Sequence, residues 1–476
     1  MGEVRDALKV VYKQPWFYSI LLLTLIPLFP DYLTFFMVIA AFLLCVWDSK
    51  NRGVGLRLGK IGIMMLVYLA YMACSLLYTS DLTGSFWTLV MWACLFLGYL
   101  TAATVLYNRR RLRTAILCMT ATTGVVGGVA VVQYILREWF HMQVNDMLWE
   151  PSDRVIYGLL NISVSEVDFG ERISSTFNNP NLMAAYLALT IPFSIAFVLT
   201  GTRSKPKALA RIALIAAVYA LGFSYCRAAY LALMVVGGLL ALLYVRKRFM
   251  LTLLTVIYVL LLVPPSVGDR LLSVIPTAPD QPADTIVETL PEDLPPLDIP
   301  ERLEQIEQQV TAGYANDGSV SERFMIWEQT KKSIKEHPLF GLGLGVQTTR
   351  KMLQGAGLDF KHSHNLFLEI LSEGGIVSLL IFAGILYLLA VRGVRLLCQR
   401  NRKEAWLLGF AVFAACGALF VFGVFDFPFI IPRLISTCML LMGITESAAH
   451  LYLHIDAKGK KSLKKMRPNP CNLPKT

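Results

Sequence analysis

Two histidines, His362 and His364, flank Ser363 in the run KHSHNLFLEILSEGG. In an extended chain that spacing puts both side chains on one side. His364 precedes Asn365 and Glu369 at the point where polar sequence gives way to an apolar run. An imidazole at such a boundary suits proton transfer. A zinc site needs a third ligand, and no cysteine or further histidine clusters beside the pair in the sequence, so the expectation is acid–base chemistry without a metal.

The second group consists of arginines. Arg227, in SYCRAAYLAL, stands between two apolar runs with almost no loop around it. An ionisable residue at membrane depth is costly and usually faces a cavity and a counter-charge. The plainer reading, an arginine snorkelling to the interface, is more usual on the cytoplasmic side. The topology argued below puts Arg227 on the other side. Arg323, in SERFMIWEQTKKSIKEHP, and Arg172, in ERISSTFNNPNLMAAYLAL, are ordinary surface arginines when taken singly. Together the three form an arginine set on a face otherwise poor in positive charge, and the planar guanidinium fork suits phosphate and diphosphate. The glycines of GLGLG (Gly341, Gly343, Gly345) lack the preceding strand of a dinucleotide fingerprint and follow a helix ended by Pro338, so they read as a flexible turn.

These residues must be held by membrane helices. The 476-residue chain is 55% hydrophobic and 16% charged, where soluble proteins carry about 25% charged residues. Apolar runs of spanning character fall at 16–30, 32–47, 61–78, 85–107, 114–136, 182–200, 212–225, 228–245, 249–267, 365–391, 404–424 and 428–453. With the N-terminus inside, every short inside loop is basic, and the outside loop at 79–84 carries no Lys or Arg. Twelve spans with both termini cytoplasmic satisfy that pattern. The net charge of +11 thus belongs to membrane topology, and nucleic-acid binding is set aside. The 9 cysteines include no CxxC and mostly lie in apolar runs, as buried apolar residues do. The basic N-terminal flank with its first apolar run reads as an uncleaved span, because a second run follows at once.

The expected organisation has four parts. Residues 1–267 hold nine transmembrane helices and an external loop at 137–181. Residues 268–364 form a large external loop, residues 365–457 three more spans, and residues 458–476 a basic cytoplasmic tail. The large loop opens on PTAPDQPADTIVETLPEDLPPLDIP, whose composition favours extended solvated chain. Helical pattern resumes at ERLEQIEQQV and again at SVSERFMIWEQTKKSIKEHP. There Ser319 and Glu322 fit a capping box, Pro338 is the stop, and Phe324, Trp327 and Ile334 are placed along the membrane surface.

Taken in order, from Arg172 to Asp426, these features resemble the O-antigen ligase family and its relatives, the bacterial O-antigen and capsule polymerases and O-oligosaccharyltransferases. His364-Asn365, nine residues and then Gly375 resemble the family's His-Asn-x9-Gly-x-x-Gly signature. Arg227 in CRAA sits where the family has Ser-Arg-Gly-Ala, and Arg323 in SERFMIW where it has Ser-x-Arg-x-x-x-Trp. Asn178, Pro180 and Asn181 resemble its Asn-Pro-Asn. The chain departs from the pattern at Cys226, Ala228 and Ser378, which bears on the subfamily.

The resemblance implies an all-α polytopic fold of about twelve transmembrane helices, C-type glycosyltransferase-like, with a large external loop over a lipid-facing cavity. It implies an enzyme of the cytoplasmic (inner) membrane that acts on the outer face without a cofactor. Such an enzyme transfers a glycan, with inversion and no metal, from an undecaprenyl-diphosphate carrier to a lipid, glycan or protein acceptor. On this resemblance His364, Arg227 and Arg323 are the catalytic residues. Arg172, Asn178, Asn181, His362, Asn365, Glu369 and Asp426 are expected at the substrate. The alternatives are a protein O-oligosaccharyltransferase, a transporter or flippase of lipid-linked sugars, and an inactive assembly scaffold. A transporter tends to show related halves and broken helices at the midplane, whereas the polar residues here gather in outside loops.

Overall fold

The computed structural model describes residues 14–142, 172–200, 205–234 and 318–454. Every regular element among them is helical: α1 (Pro15–Leu25), α2 (Asp31–Arg52), α3 (Gly59–Ser75), α4 (Leu82–Val105), α5 (Arg109–Phe140), α6 (Pro180–Leu199), α7 (Lys205–Phe223), α8 (Gly318–Glu336), α9 (Val346–Gly355), α10 (Leu366–Leu397), α11 (Lys403–Phe425) and α12 (Pro432–Ala449), with short tighter turns after α1 and α11 and a wider π-helical turn after α12. Their ends follow local chemistry. Asn108 and Asn179 cap α5 and α6 with their side chains, and proline occupies the first turn of α1, α6 and α12.

Eight of these helices, α2, α4, α5, α6, α7, α10, α11 and α12, are long and apolar enough to cross a membrane, and α1 and α3 are shorter apolar helices. They coincide with ten of the apolar runs. The run at 228–245 opens as helix at 227–234; its remainder and the run at 249–267 lie outside the described residues. So do 143–171, the Pro- and acid-rich stretch, the expected helix ERLEQIEQQV, the side chain of Ser319 and the basic tail.

α12 is the central stave. It touches α1 to α6, α10 and α11, and 94% of its apolar window is buried in protein. That is why it is the least apolar of the eight, carrying Arg433 and Glu446. α5 and α7 pack through small residues, Gly124 and Gly127 lying directly against Ala213, Ala216 and Ala217. One end of the bundle gathers basic side chains around buried acids: Arg111 grips Asp48 at 2.8 and 3.2 Å, and Arg392 meets Glu446 at 2.6 Å. The functional candidates collect at the opposite end.

Two expectations are corrected there. The GLGLG run is no flexible turn. α10 breaks at Gly375 (φ 61°), and the break exposes backbone groups that the 338–343 segment satisfies. Leu342 N–H donates to Ser372 C=O (2.8 Å), Gly343 N–H to Glu373 C=O (2.9 Å), and Ile376 N–H to Pro338 C=O (2.9 Å). Gly375 is required twice over, by its left-handed φ and because a Cβ would collide with the Leu339 carbonyl. Tyr71 closes the break from below, donating to Gly374 C=O at 2.6 Å. The second correction concerns α8, whose Ile326, Thr330 and Ser333 are buried and whose Trp327 turns toward the protein. Trp327 Nε1–H donates to Ser363 C=O at 2.9 Å, so the indole holds the histidine loop while Phe324 stays exposed.

Candidate functional site

The His-Ser-His segment is locked before α10 begins. Asn365 caps that helix, its Oδ1 accepting from Phe367 and Leu368 N–H, while its Nδ2 donates to Val424 C=O at 2.8 Å. Glu369, one turn on and fully buried, accepts from Ser363 N–H at 2.7 Å. Ser363 Oγ donates to Asn365 C=O at 3.0 Å, and Trp327 takes the Ser363 carbonyl. The geometry thus gives Asn365 and Glu369 scaffolding duties around the histidine loop. The locked loop sustains a left-handed backbone at His364 (φ 49°), a conformation that needs over-determination by its surroundings.

The two histidines lie together as their spacing predicts, ring centroids 4.1 Å apart, and they differ in environment. His362 is buried, and its Nδ1 accepts from His364 N–H at 3.1 Å. Burial, and then the neighbouring His364, push its pKa down to about 3, so it stays neutral and is a poor base near neutral pH. His364 is partly open, with 29% of its side chain accessible, and its Nδ1 faces Asp426 Oδ1 at 3.2 Å. Against an anionic carboxylate the ring carries its proton on Nδ1, which leaves the Nε2 lone pair to take a proton.

Asp426 ends α11 and is the hub. Its Oδ1 also accepts from Phe427 N–H (2.9 Å), and its Oδ2 accepts from Asn181 Nδ2 (3.1 Å). Asn181 Oδ1 in turn accepts from Arg172 Nη2, and Arg172 Nε donates to Ser224 C=O at 3.0 Å. Burial opposes the Asp426 charge. The hydrogen bond and charge of His364, then His362 and Arg323, outweigh burial and hold the carboxyl well below the usual range. An acid at a helix C-terminus sits at the wrong end of the dipole, so the donors Phe427 N–H, Asn181 Nδ2 and the His364 ring, with the Arg323 charge nearby, are what keep it ionised.

The arginines converge on the same place. Arg172, Arg323 and Asp426 all act electrostatically on Cys226, whose thiol burial pushes up to about 11, and Arg227 is the next residue, opening the helical segment 227–234. Arg227 and Arg323 are both half-buried, and Asn178 is exposed at the rim. The structure therefore brings together Arg172, Asn181, Arg323, His362, His364 and Asp426, with Arg227 adjoining.

The sequence reading found no third metal ligand, and here the structure corrects it. Asp426 stands beside both histidines, with ligand atoms of the three within 4.8 Å of one another. By composition they could hold a divalent ion. Part of that donor set is engaged otherwise: His362 Nδ1 by a backbone N–H, both Asp426 oxygens by Phe427, Asn181 and His364. The neighbouring arginines also oppose a second cation. The set fits a histidine oriented by a carboxylate better than it fits a metal.

One contributor entered the sequence reading without its partner, and one escaped it. Asp426 entered only through the resemblance, because it lies 62 residues from His364. Arg433, 1% exposed, lies at the start of α12 and was passed over; its only signal was an arginine directly after the proline that opens an apolar run.

Residues 212–383 match the family model described as O-antigen ligase. The match contains Arg227, Arg323, His362, His364, Asn365 and Glu369. Arg172, Asn178, Asn181 and Asp426 lie outside it, and the hydrogen bonds above join Arg172, Asn181 and Asp426 to it. No curated protein matches the chain.

Proposed function

From its O-antigen ligase-like segment at residues 212–383, we propose that this membrane protein transfers a glycan from an undecaprenyl-diphosphate-linked donor to an acceptor. The transfer takes place at the outer face of the cytoplasmic membrane. The observation that carries the reading is the His364–Asp426 pair, 3.2 Å apart, at the end of an apolar bundle opposite its basic end, with Arg172 and Arg323 acting on the same place. His364 Nε2 takes the proton from the acceptor hydroxyl as that oxygen attacks the anomeric carbon. The bond from the sugar to the diphosphate breaks on the opposite face, inverting the centre. Arg227, Arg323 and Arg172 hold the diphosphate, whose charge grows as the bond breaks, so they stabilise the transition state more than the ground state. Asp426 fixes the tautomer and steadies the imidazolium that forms. No step needs a metal.

The basic end of the bundle supports a cytoplasmic placement for that end and an outside placement for the site. On this reading the chain keeps twelve spans, with 1–267, 268–364, 365–457 and 458–476 as its four parts and both termini inside. A ligase or polymerase is favoured over a flippase because the ionisable cluster gathers at one end of the helices rather than at midplane.

The test is transfer from a defined lipid-diphosphate glycan in proteoliposomes, with lipid, glycan and peptide acceptors compared. Arg227→Ala and Arg323→Ala should each lose about 10²–10³ in rate, and lysine should rescue poorly because it lacks the fork. Topology reporters after Arg248 and near Gln281 should report cytoplasm and outside respectively. Wild-type protein that moves the lipid-linked glycan across the bilayer and transfers none of it would overturn the reading in favour of a flippase.

A further inference from the structure

Arg433 is almost completely buried at the N-terminus of α12, where the helix dipole disfavours a cation. Such a residue is retained only with strong compensation. Asp31, at the start of α2, supplies part of it: Arg433 Nε and Nη2 donate to its two carboxylate oxygens at 2.9 and 3.0 Å. The remaining arm does something else. Arg433 Nη1 donates to the Thr176 carbonyl at 2.6 Å, and the guanidinium lies 4.8 Å over the Phe177 ring.

Thr176 and Phe177 belong to the segment between Arg172 and Asn181, which is pinned from several sides. Ile173 N–H donates to Phe223 C=O at 3.1 Å. Ser175, at φ 56°, donates through Oγ to Val126 C=O (2.6 Å) and accepts from Gln133 Nε2 (3.1 Å). Thr176 Oγ1 donates to Pro27 C=O at 2.7 Å. The two ends of the segment carry Arg172 and Asn181, the side chains that reach Asp426. Three helix ends far apart in sequence thus meet on this loop, and Arg433 is a charged group that grips its middle.

We infer that Arg433, held by Asp31, is a positioning residue: it sets the Arg172–Asn181 loop at the height at which Arg172 meets the anionic end of the donor and Asn181 meets Asp426. Arg433 touches no reacting atom. Its effect passes through the Thr176 carbonyl, so it acts on donor binding more than on the chemical step. The link to donor binding rests on the function proposed above; the link to the loop does not.

The experiment removes both charges at once. An apolar pair of similar volume can replace a buried ion pair without loss of stability, so the double variant Asp31→Leu/Arg433→Met is expected to melt within a few degrees of wild type. Hydrogen exchange should then show lost protection confined to the amides of 172–181. In proteoliposomes the donor KM should rise about tenfold, the size of one hydrogen bond, with kcat within about threefold. Arg433→Lys, which keeps the charge against Asp31 and gives up the fork, should show the same loop exchange and serves if the double variant does not fold. A folded variant with full loop protection and unchanged KM would overturn the inference. Wild-type protein that transfers no glycan would count against the proposed function alone, because the exchange measurement still decides whether Arg433 holds the loop.

Discussion

Asp426→Asn puts the greatest demand on the site. The carboxylate serves three partners with two oxygens: Phe427 N–H and His364 Nδ1 on Oδ1, Asn181 Nδ2 on Oδ2. Asparagine offers one oxygen. If that oxygen takes the Oδ1 place, its NH2 meets the NH2 of Asn181, which cannot flip because its own oxygen holds Arg172. If it takes the Oδ2 place, Phe427 N–H is left bare, and an NH2 faces His364 and forces the ring proton onto Nε2. The first arrangement loses one buried hydrogen bond, about 1–3 kcal/mol, or about 5- to 150-fold. The second removes the general base, about 10²–10⁴-fold. The variant is therefore expected to transfer glycan at least about 5-fold more slowly, and about 10²–10⁴-fold more slowly where the second arrangement prevails, at matched membrane abundance and with the bundle still folded. Rates within about threefold of wild type would refute the carboxylate's role in orienting His364.

Four further outcomes are expected. Because His362 is neutral and its Nδ1 is already bonded, His362→Ala should cost less activity than His364→Ala, compared in the same transfer assay. EDTA should leave transfer intact, and loss restored by a divalent ion would reinstate His362, His364 and Asp426 as metal ligands. Asp426 has a depressed pKa, so its stabilising charge is present above the ordinary carboxylate range and lost only as pH falls through the depressed value. The difference in melting temperature between wild type and Asp426→Asn should accordingly stay flat from about pH 8 down to about pH 4 and shrink only in stronger acid. Gly375→Ala should destabilise the protein by more than about 1–2 kcal/mol, read by thermal unfolding, since it adds a strained φ to a collision with Leu339 C=O.

The membrane helices were legible because length and apolarity are local properties of the chain, and the basic loops between them marked one end of the bundle. His364, Arg227 and Arg323 were legible for a related reason: charge set against long apolar runs stands out. What the sequence hid was partnership in space. Asp426 looks like any acid at the end of a span until the fold brings it to His364. The GLGLG glycines look like freedom, because positive φ marks loops, and only the broken helix opposite them shows that their run is held to it by two backbone hydrogen bonds, with a third at Pro338. Trp327 looked like an interfacial aromatic, because a helical wheel cannot say which neighbour its indole N–H will find. Arg433 was overlooked because its partners, Asp31 and Thr176, come from distant parts of the chain.

The break in α10 has a consequence for how the protein sits in lipid. The helix has 32 residues, about 48 Å at 1.5 Å per residue, far more than a hydrocarbon core of about 30 Å requires. Its portion after Gly375, residues 376–397, measures about 33 Å and spans that core unaided. The nine residues before Gly375 are relieved of matching the bilayer, and they are the ones Asn365 caps, directly after His364, clasped by Tyr71 and the 338–343 wedge. When the membrane thins or the helix tilts, the lower rod can lean while the upper stub keeps its place in the protein. His364 is thus referenced to its packed protein neighbours, like an instrument mounted on a bench rather than on the floor beneath it.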